Sequence, residues 1–219
     1  MKMAIPKRLF RYFKEKHQAD EFVSGRIRVG RLSVYKAIED VRKDELEGTS
    51  TFTWDRSAPE YLIDNKTRNI VGAGTSSTAK IKFFSETINP VYLLCTSSAR
   101  ANTINAASKF GNYVAEIVDP KGLLDHLGQR WSKDTISLNG KVELKKVVYN
   151  RGQLVRPNRY LIPPENILLT QKSSMYKEEC EYRYILWCRI DNNLNHSEYK
   201  YIDIGNNHNV IEKNILDIT

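Results

Sequence analysis

Cysteine, histidine, glycine and proline are scarce in this 219-residue chain, at 3, 4, 11 and 7. So little glycine and proline, beside 41% hydrophobic and 27% charged residues, excludes collagen-like, low-complexity and wholly disordered chains. Cys95, Cys180 and Cys188 form no CxxC pair, and His17, His126, His196 and His208 lie far apart, so neither a disulfide framework nor a metal site is expected. Long apolar runs are missing too. Stretches such as Val91 to Cys95 stop far short of the ~20 residues of a membrane helix, and the amino terminus has no apolar block like that of a secretory signal. A cytoplasmic protein with no membrane partner is the expectation. No internal repeat, glycine-rich phosphate loop, G-x-S-x-G or H-E-x-x-H occurs, which removes the best-marked nucleotide, hydrolase and metalloprotease readings.

What is present is positive charge. Thirty-four Lys and Arg against 26 Asp and Glu give a formal charge of +8, which favours an anionic partner such as nucleic acid, nucleotide or phosphate. A chain of this length buries roughly 70% of its unfolded surface, so it needs no staple to fold.

Strand-like segments dominate the pattern. Arg8 to Phe13 reads as a short strand, Lys14 to Ser24 as a helix with Ala19, Phe22 and Val23 turned inward, Gly25 as its stop, and Arg26 to Gly30 as a second strand. Lys80 to Phe84, Val91 to Cys95, Tyr113 to Val118, Val142 to Tyr149, Ile167 to Thr170, Glu181 to Ile190 and Tyr199 to Ile204 carry the β-branched and aromatic content of strands. Asp119-Pro120 has the chemistry to open a helix running to about Trp131. Strands do not alternate regularly with long helices. The fold class expected is therefore α+β, strand-rich, with two packed antiparallel or mixed sheets and a few helices, in one domain over 1–219 with a loop-rich insertion at 49–79.

Four segments carry chemistry. In Lys177 to Trp187, Tyr182, Tyr184, Leu186 and Cys188 make an apolar face while Glu181, Arg183 and Ile185 point the other way. A carboxylate at the start of a strand is held more tightly than one on a loop, which suits catalysis; a solvated face with a salt bridge is the plainer reading. In Leu9 to Phe13 an arginine, Arg11, sits among aromatics, where its planar donor fork suits phosphate or ribose, or else reaches out to water. Glu39 to Gly48 mixes acids and bases, with Asp40, Asp44 and Glu47 as conceivable Mg²⁺ ligands for a nuclease, but without calcium-loop spacing; a solvated helix end is favoured. A basic run, Lys141, Lys145, Lys146, Arg151, Arg156 and Arg159, with Tyr149 and Tyr160, has the composition to follow a nucleic-acid backbone.

These segments together carry a resemblance. Leu9 to Gly30 resembles the opening of many ADP-ribosyltransferase-like domains: an aromatic strand bearing His or Arg, a helix, a glycine and a second strand. Arg26 to Gly48, Cys95-Thr96-Ser97, Gly111 to Val118, Lys146 to Tyr149 and Lys177 to Arg183, with its E-x-E-Y-R, resemble a large uncharacterised bacterial and phage family, some members of which are similar to abortive-infection proteins. The resemblance implies a split β-sandwich with NAD, as substrate, in its cleft. It gives Arg11, with Tyr12 beside it, to the ribose or phosphate of the nicotinamide side. The second position falls to Ser33 or Tyr35, or to Thr96 and Ser97, where arginine-modifying members carry Ser-Thr-Ser. Glu181 becomes the catalytic carboxylate and Glu179 completes an E-x-E pair that orients or deprotonates the acceptor. The resemblance therefore implies an NAD-dependent ADP-ribosyltransferase acting on a protein or nucleic-acid acceptor, with a toxin, phage-defence or host-modifying role and room for an inhibitory partner protein. The alternative is a noncatalytic nucleic-acid- or nucleotide-binding protein that uses its basic surface.

Overall fold

A computed structural model describes residues 5–37, 50–54, 60–63, 70–74, 80–83, 91–99, 110–149, 154–156, 169–189, 197–206, 209–212 and 216–217. The aromatic and β-branched run of the amino terminus forms β1 (Leu9–Phe13). It is followed by α1 (Lys16–Val23), which buries Ala19, Phe22 and Val23. The helix ends because Gly25 takes φ 95, a left-handed conformation that costs a residue with a Cβ about 1–2 kcal/mol. β2 (Arg26–Arg31) runs straight into α2 (Leu32–Ala37).

The chain divides into two compact units, one made of Met1–Lys43, Asn89–Val147 and Glu179–Thr219, the other of Asp44–Ile88 and Val148–Glu178. In the second unit β3 (Ser50–Trp54) lies between β6 (Lys80–Phe83), antiparallel, and β10 (Leu154–Arg156), parallel, while β4 (Glu60–Ile63) pairs with β5 (Ile70–Gly74). The stretch 49–79, expected to be rich in loops, thus carries three strands.

The first unit holds β7 (Val91–Ser97), β8 (Tyr113–Ile117), α3 (Pro120–Trp131), β9 (Ser137–Lys146), β11 (Glu181–Cys188), β12 (Tyr199–Asp203) and β13 (Leu216–Asp217). With β1 and β2 they form an eight-stranded sheet in which every pairing is antiparallel. The protein is strand-rich α+β, with few helices among the described residues. None of those helices is long and apolar enough to cross a membrane.

Alternation decides which residues form the core. Tyr92 and Leu94 of β7, Tyr182, Tyr184, Leu186 and Cys188 of β11, and Ile27 and Val29 of β2 point to one side, where Phe22 of α1 and Leu123, Leu127 and Trp131 of α3 cover them. Each such large apolar side chain contributes about 1.5–3 kcal/mol when fully buried. The Asp119 side chain accepts the Gly122 N–H at 2.9 Å and Pro120 fills the first turn, so α3 starts where Asp-Pro predicts. Two polar tips inside this core are satisfied: Trp131 Nε1 donates to the Trp187 carbonyl at 2.9 Å and Tyr184 Oη to the Pro120 carbonyl at 3.0 Å.

β9 begins earlier than its composition predicts. Its Asn139-Gly140 looks like a turn, and both residues do take positive φ (53 and 69), yet they sit at an irregularity within the strand, beside the register shift between Leu186 and Cys188 of β11.

Candidate functional site

β7 places the site, because two strands share one of its edges. β11 pairs along the whole of its other edge, from Val91 to Ser97. On the shared edge β2 pairs at Tyr92 and Leu93 and β1 at Ser97, which leaves Cys95 between them. Carbonyls two residues apart on a strand face the same edge, so those of Leu93 and Cys95 both point to the place where one neighbour ends and the next has not begun. Side chains take over the missing donors: Tyr35 Oη donates to the Leu93 carbonyl at 3.1 Å and Arg11 Nη1 donates to the Cys95 carbonyl.

Arg11 comes from β1, on the side it shares with Leu9 and Phe13. Tyr35 comes from α2, and its ring fits because residue 30 is glycine: a Cβ there would lie 3.2 Å from Tyr35 Cε2. Tyr35 is half-buried as a residue, its hydroxyl being the enclosed end. Burial foremost, and then the Cys95 sulfur with which it hydrogen-bonds, push the phenol's pKa well up; Arg11 acts against this and Glu181 adds to it.

Glu181 stands opposite Ser97, and Arg183 opposite Cys95. Two residues apart on a strand, they share a face and form a two-point ion pair, Arg183 Nε to Glu181 Oε1 at 2.7 Å and Arg183 Nη2 to Glu181 Oε2 at 3.3 Å. The solvated salt bridge of the plainer reading is instead buried, Glu181 being 4% and Arg183 1% exposed. The reason is that β11 is an inner strand, between β7 and β9, and all eight of its residues are buried. Charges in that position are tolerated only as partners.

The Thr96-Ser97-Ser98 hydroxyls hold the entry to β11. Thr96 Oγ1 donates to the Tyr182 carbonyl at 3.0 Å, Ser97 Oγ to the Glu179 carbonyl at 2.7 Å and Ser98 Oγ to the Cys180 carbonyl at 3.2 Å. Cys180 itself sits at φ 44, a strained value for a non-glycine residue. Glu179 therefore ends a 3₁₀ helix (Ser174–Glu179) whereas Glu181 opens a strand, and the two carboxylates are not neighbours on one strand face.

The structure thus brings Arg11 and Tyr35 to the gap at Cys95 on the shared edge of β7, with Thr96 and Ser97 anchoring the backbone nearby; Glu181 stands opposite Ser97 on the other edge, on the face of β11 turned from the core, whereas Arg11 starts from the core side of β1. Tyr12 donates to the Ala99 carbonyl at 2.8 Å and packs on Phe110, with ring centroids 5.5 Å apart. Ser33 is exposed and, two residues before Tyr35 on a helix, is turned about 200° from it, so it is not part of the group. Asp40, Asp44 and Glu47 lie outside the described residues, among which no group of three His, Cys, Asp or Glu gathers as a metal site.

Part of the basic run is committed within the sheet. Lys145 Nζ lies 3.2 Å from Glu143 Oε1, and Lys141 Nζ lies 3.8 Å from Glu143 Oε2 and 4.3 Å from the Trp187 ring centre. Arg151 and Arg159 lie outside the described residues, and Arg156 belongs to the second unit.

Sequence reasoning missed a cleft lined by Arg11, Arg26, Arg28, His17, Glu21 and Tyr201, among others. The signal was available, since Arg26 and Arg28 alternate with the core residues Ile27 and Val29. Comparisons with protein-family models, curated proteins and solved structures found nothing that matches this chain.

Proposed function

We propose that the first unit is an ADP-ribosyltransferase-like domain, a split β-sandwich, and that the protein transfers ADP-ribose from NAD to a macromolecular acceptor in a toxin, phage-defence or host-modifying role. The observation that supports this reading is that Arg11 and Tyr35, from separate segments, bond neighbouring β7 carbonyls at the gap by Cys95, while Glu181 stands opposite Ser97 on the other edge of the same strand. The residue types suit the chemistry. Arg11 uses one donor on the Cys95 carbonyl, and a guanidinium has five, enough to hold a ribose oxygen or a phosphate as well. Glu181, fixed by Arg183, is a carboxylate that accepts and does not donate.

In this reading the bond between nicotinamide nitrogen and ribose C1′ breaks, and its electron pair leaves with nicotinamide, which becomes neutral. The positive charge left on the ribose resembles that of glycoside hydrolysis. Glu181 accepts the ribose 2′-hydroxyl hydrogen bond and stabilises that charge more in the transition state than in the ground state, which is what raises turnover. The acceptor's lone pair then bonds to C1′, and its proton passes to water. Arg11, Tyr35 and Cys95 are half-buried, whereas Glu181 is 4% exposed with both oxygens on Arg183, so in this reading NAD entering at Cys95 draws Glu181 out of that pair to reach the ribose.

The test is incubation with NAD labelled on the ADP-ribose, alone and with cell lysate, reading nicotinamide release and label transfer. Glu181→Gln keeps a hydrogen-bonding oxygen in place and is expected to slow both by roughly 100-fold or more. Wild type that releases no nicotinamide, or releases it at the rate of Glu181→Gln, refutes the proposal.

A further inference from the structure

We infer that the outer face of β2 and β12, together with the cleft beside it, binds single-stranded nucleic acid; resting on the function proposed above, this strand is the acceptor of the transfer. β12 pairs only with β2 among the described residues, with Tyr199 opposite Gly30, Tyr201 opposite Arg28 and Asp203 opposite Arg26. Ile27, Val29 and Ile202 point into the core, so Arg26, Arg28, Tyr199 and Tyr201 point away from it. Tyr199 is 39% and Tyr201 49% exposed, side by side on one strand face.

Each ring carries a guanidinium: Arg26 Cζ lies 4.4 Å from the Tyr201 ring centre and Arg28 Cζ 5.0 Å from that of Tyr199. A guanidinium laid on a ring is pre-organised, with its edge N–H groups turned outward and its other flat face open to a base. Arg26 spends Nη1 on Glu21 at 2.6 Å, and Glu21 is the carboxylate that lines the cleft. Arg28 makes no ion pair among the described residues. The cleft thus offers Arg11, Arg28 and His17 against a carboxylate that is already paired.

A single strand suits this surface better than an acidic peptide does. Arginines two residues apart on a strand are spaced by about 6.7 Å, comparable to phosphates along an extended nucleic-acid chain, and the alternating flat groups match bases that stack without regard to sequence. The overall charge of +8 draws a polyanion in. Arg11 belongs both to the cleft and to the gap at Cys95 where Tyr35 bonds the Leu93 carbonyl, so a strand held here leads to that gap.

The experiment is fluorescence anisotropy of the full chain with fluorescein-labelled single-stranded DNA and RNA of about 20 nucleotides and mixed sequence, long enough to cover one binding site, the matching duplexes, and a labelled poly-glutamate peptide. The single strands should bind at least tenfold tighter than duplex or peptide, and the DNA and RNA arms tell which is preferred. Tyr201→Ala, at an exposed position that leaves the core intact, should weaken binding roughly tenfold or more, and Arg28→Ala should lower the slope of log affinity against log salt by about 0.7. Equal binding of poly-glutamate or duplex, or wild-type affinity in both Tyr201→Ala and Arg28→Ala, overturns the inference, and if nicotinamide is still released the transferase proposal survives it. Single-strand binding by a protein that releases no nicotinamide upholds the surface and removes the transferase instead.

Discussion

Replacing Arg183 by methionine tests the arrangement at Glu181 most sharply, because it keeps much of the length of the side chain and removes its charge. The pair is joined at 2.7 and 3.3 Å with both members almost fully buried, at 4% and 1% exposure. Without the guanidinium, Glu181 becomes an uncompensated carboxylate inside the sheet, and breaking a buried pair from one side costs about 3–5 kcal/mol. Glu181→Gln keeps an oxygen where Nε donates but turns an amide NH2 toward Nη2 and leaves the buried guanidinium without its counter-charge, so a loss of about 3–5 kcal/mol is expected here too. The double variant has no unpaired charge and should be more stable than Arg183→Met alone, so the two losses do not add in the double-mutant cycle. Urea unfolding followed by tryptophan fluorescence reads all four proteins, since Trp131 and Trp187 lie in this unit. With a slope of roughly 1–3 kcal/mol per molar urea, Arg183→Met should shift the midpoint by about 1 M or more. A loss below about 1 kcal/mol, with additive single effects, is the behaviour of a surface salt bridge, and would falsify both the burial of Glu181 and its fixed position.

Two glycines should respond to alanine in opposite directions. At Gly25, φ 95 and a Cβ only 2.1 Å from the Gly205 carbonyl oxygen predict a loss of about 2 kcal/mol or more, whereas Gly128→Ala in α3 meets nothing closer than 3.7 Å and should gain about 0.5–1 kcal/mol, both measurable by thermal or urea unfolding. Alkali should destabilise the fold in a defined window. Burial pushes the Cys188 thiol up to about 12 from 9.0, so above pH 9 the unfolded chain loses a proton that the folded one keeps, and stability falls by at most about 1.4 kcal/mol per pH unit until pH 12. The buried phenols of Tyr35 and Tyr184, raised from 10.0, add to the fall above pH 10, and Cys188→Ala should move the onset from pH 9 to pH 10 in a pH series of unfolding curves.

Features under local control were legible in the residues themselves. Gly25 as the stop of α1, Asp119-Pro120 as the start of α3, and the two faces of β11 follow from φ preferences, capping and a period of two, which act between neighbours in the chain. Chemistry also marked Arg11 and Glu181 as apt for a site, while Tyr35 stood only as one alternative of the resemblance, and none of this said that Arg11 and Tyr35 bond the same strand edge. It took the folded chain to put β1 and β2 on one edge of β7, to have Arg11 and Tyr35 satisfy the carbonyls left there, and to let Arg183 hold Glu181 out of water where β9 covers the far edge of its strand. Those outcomes rest on pairing between segments far apart in the chain, such as β1 with β7 and β7 with β11, and hydrogen-bonded registers of that kind leave no periodic trace in the residues they join.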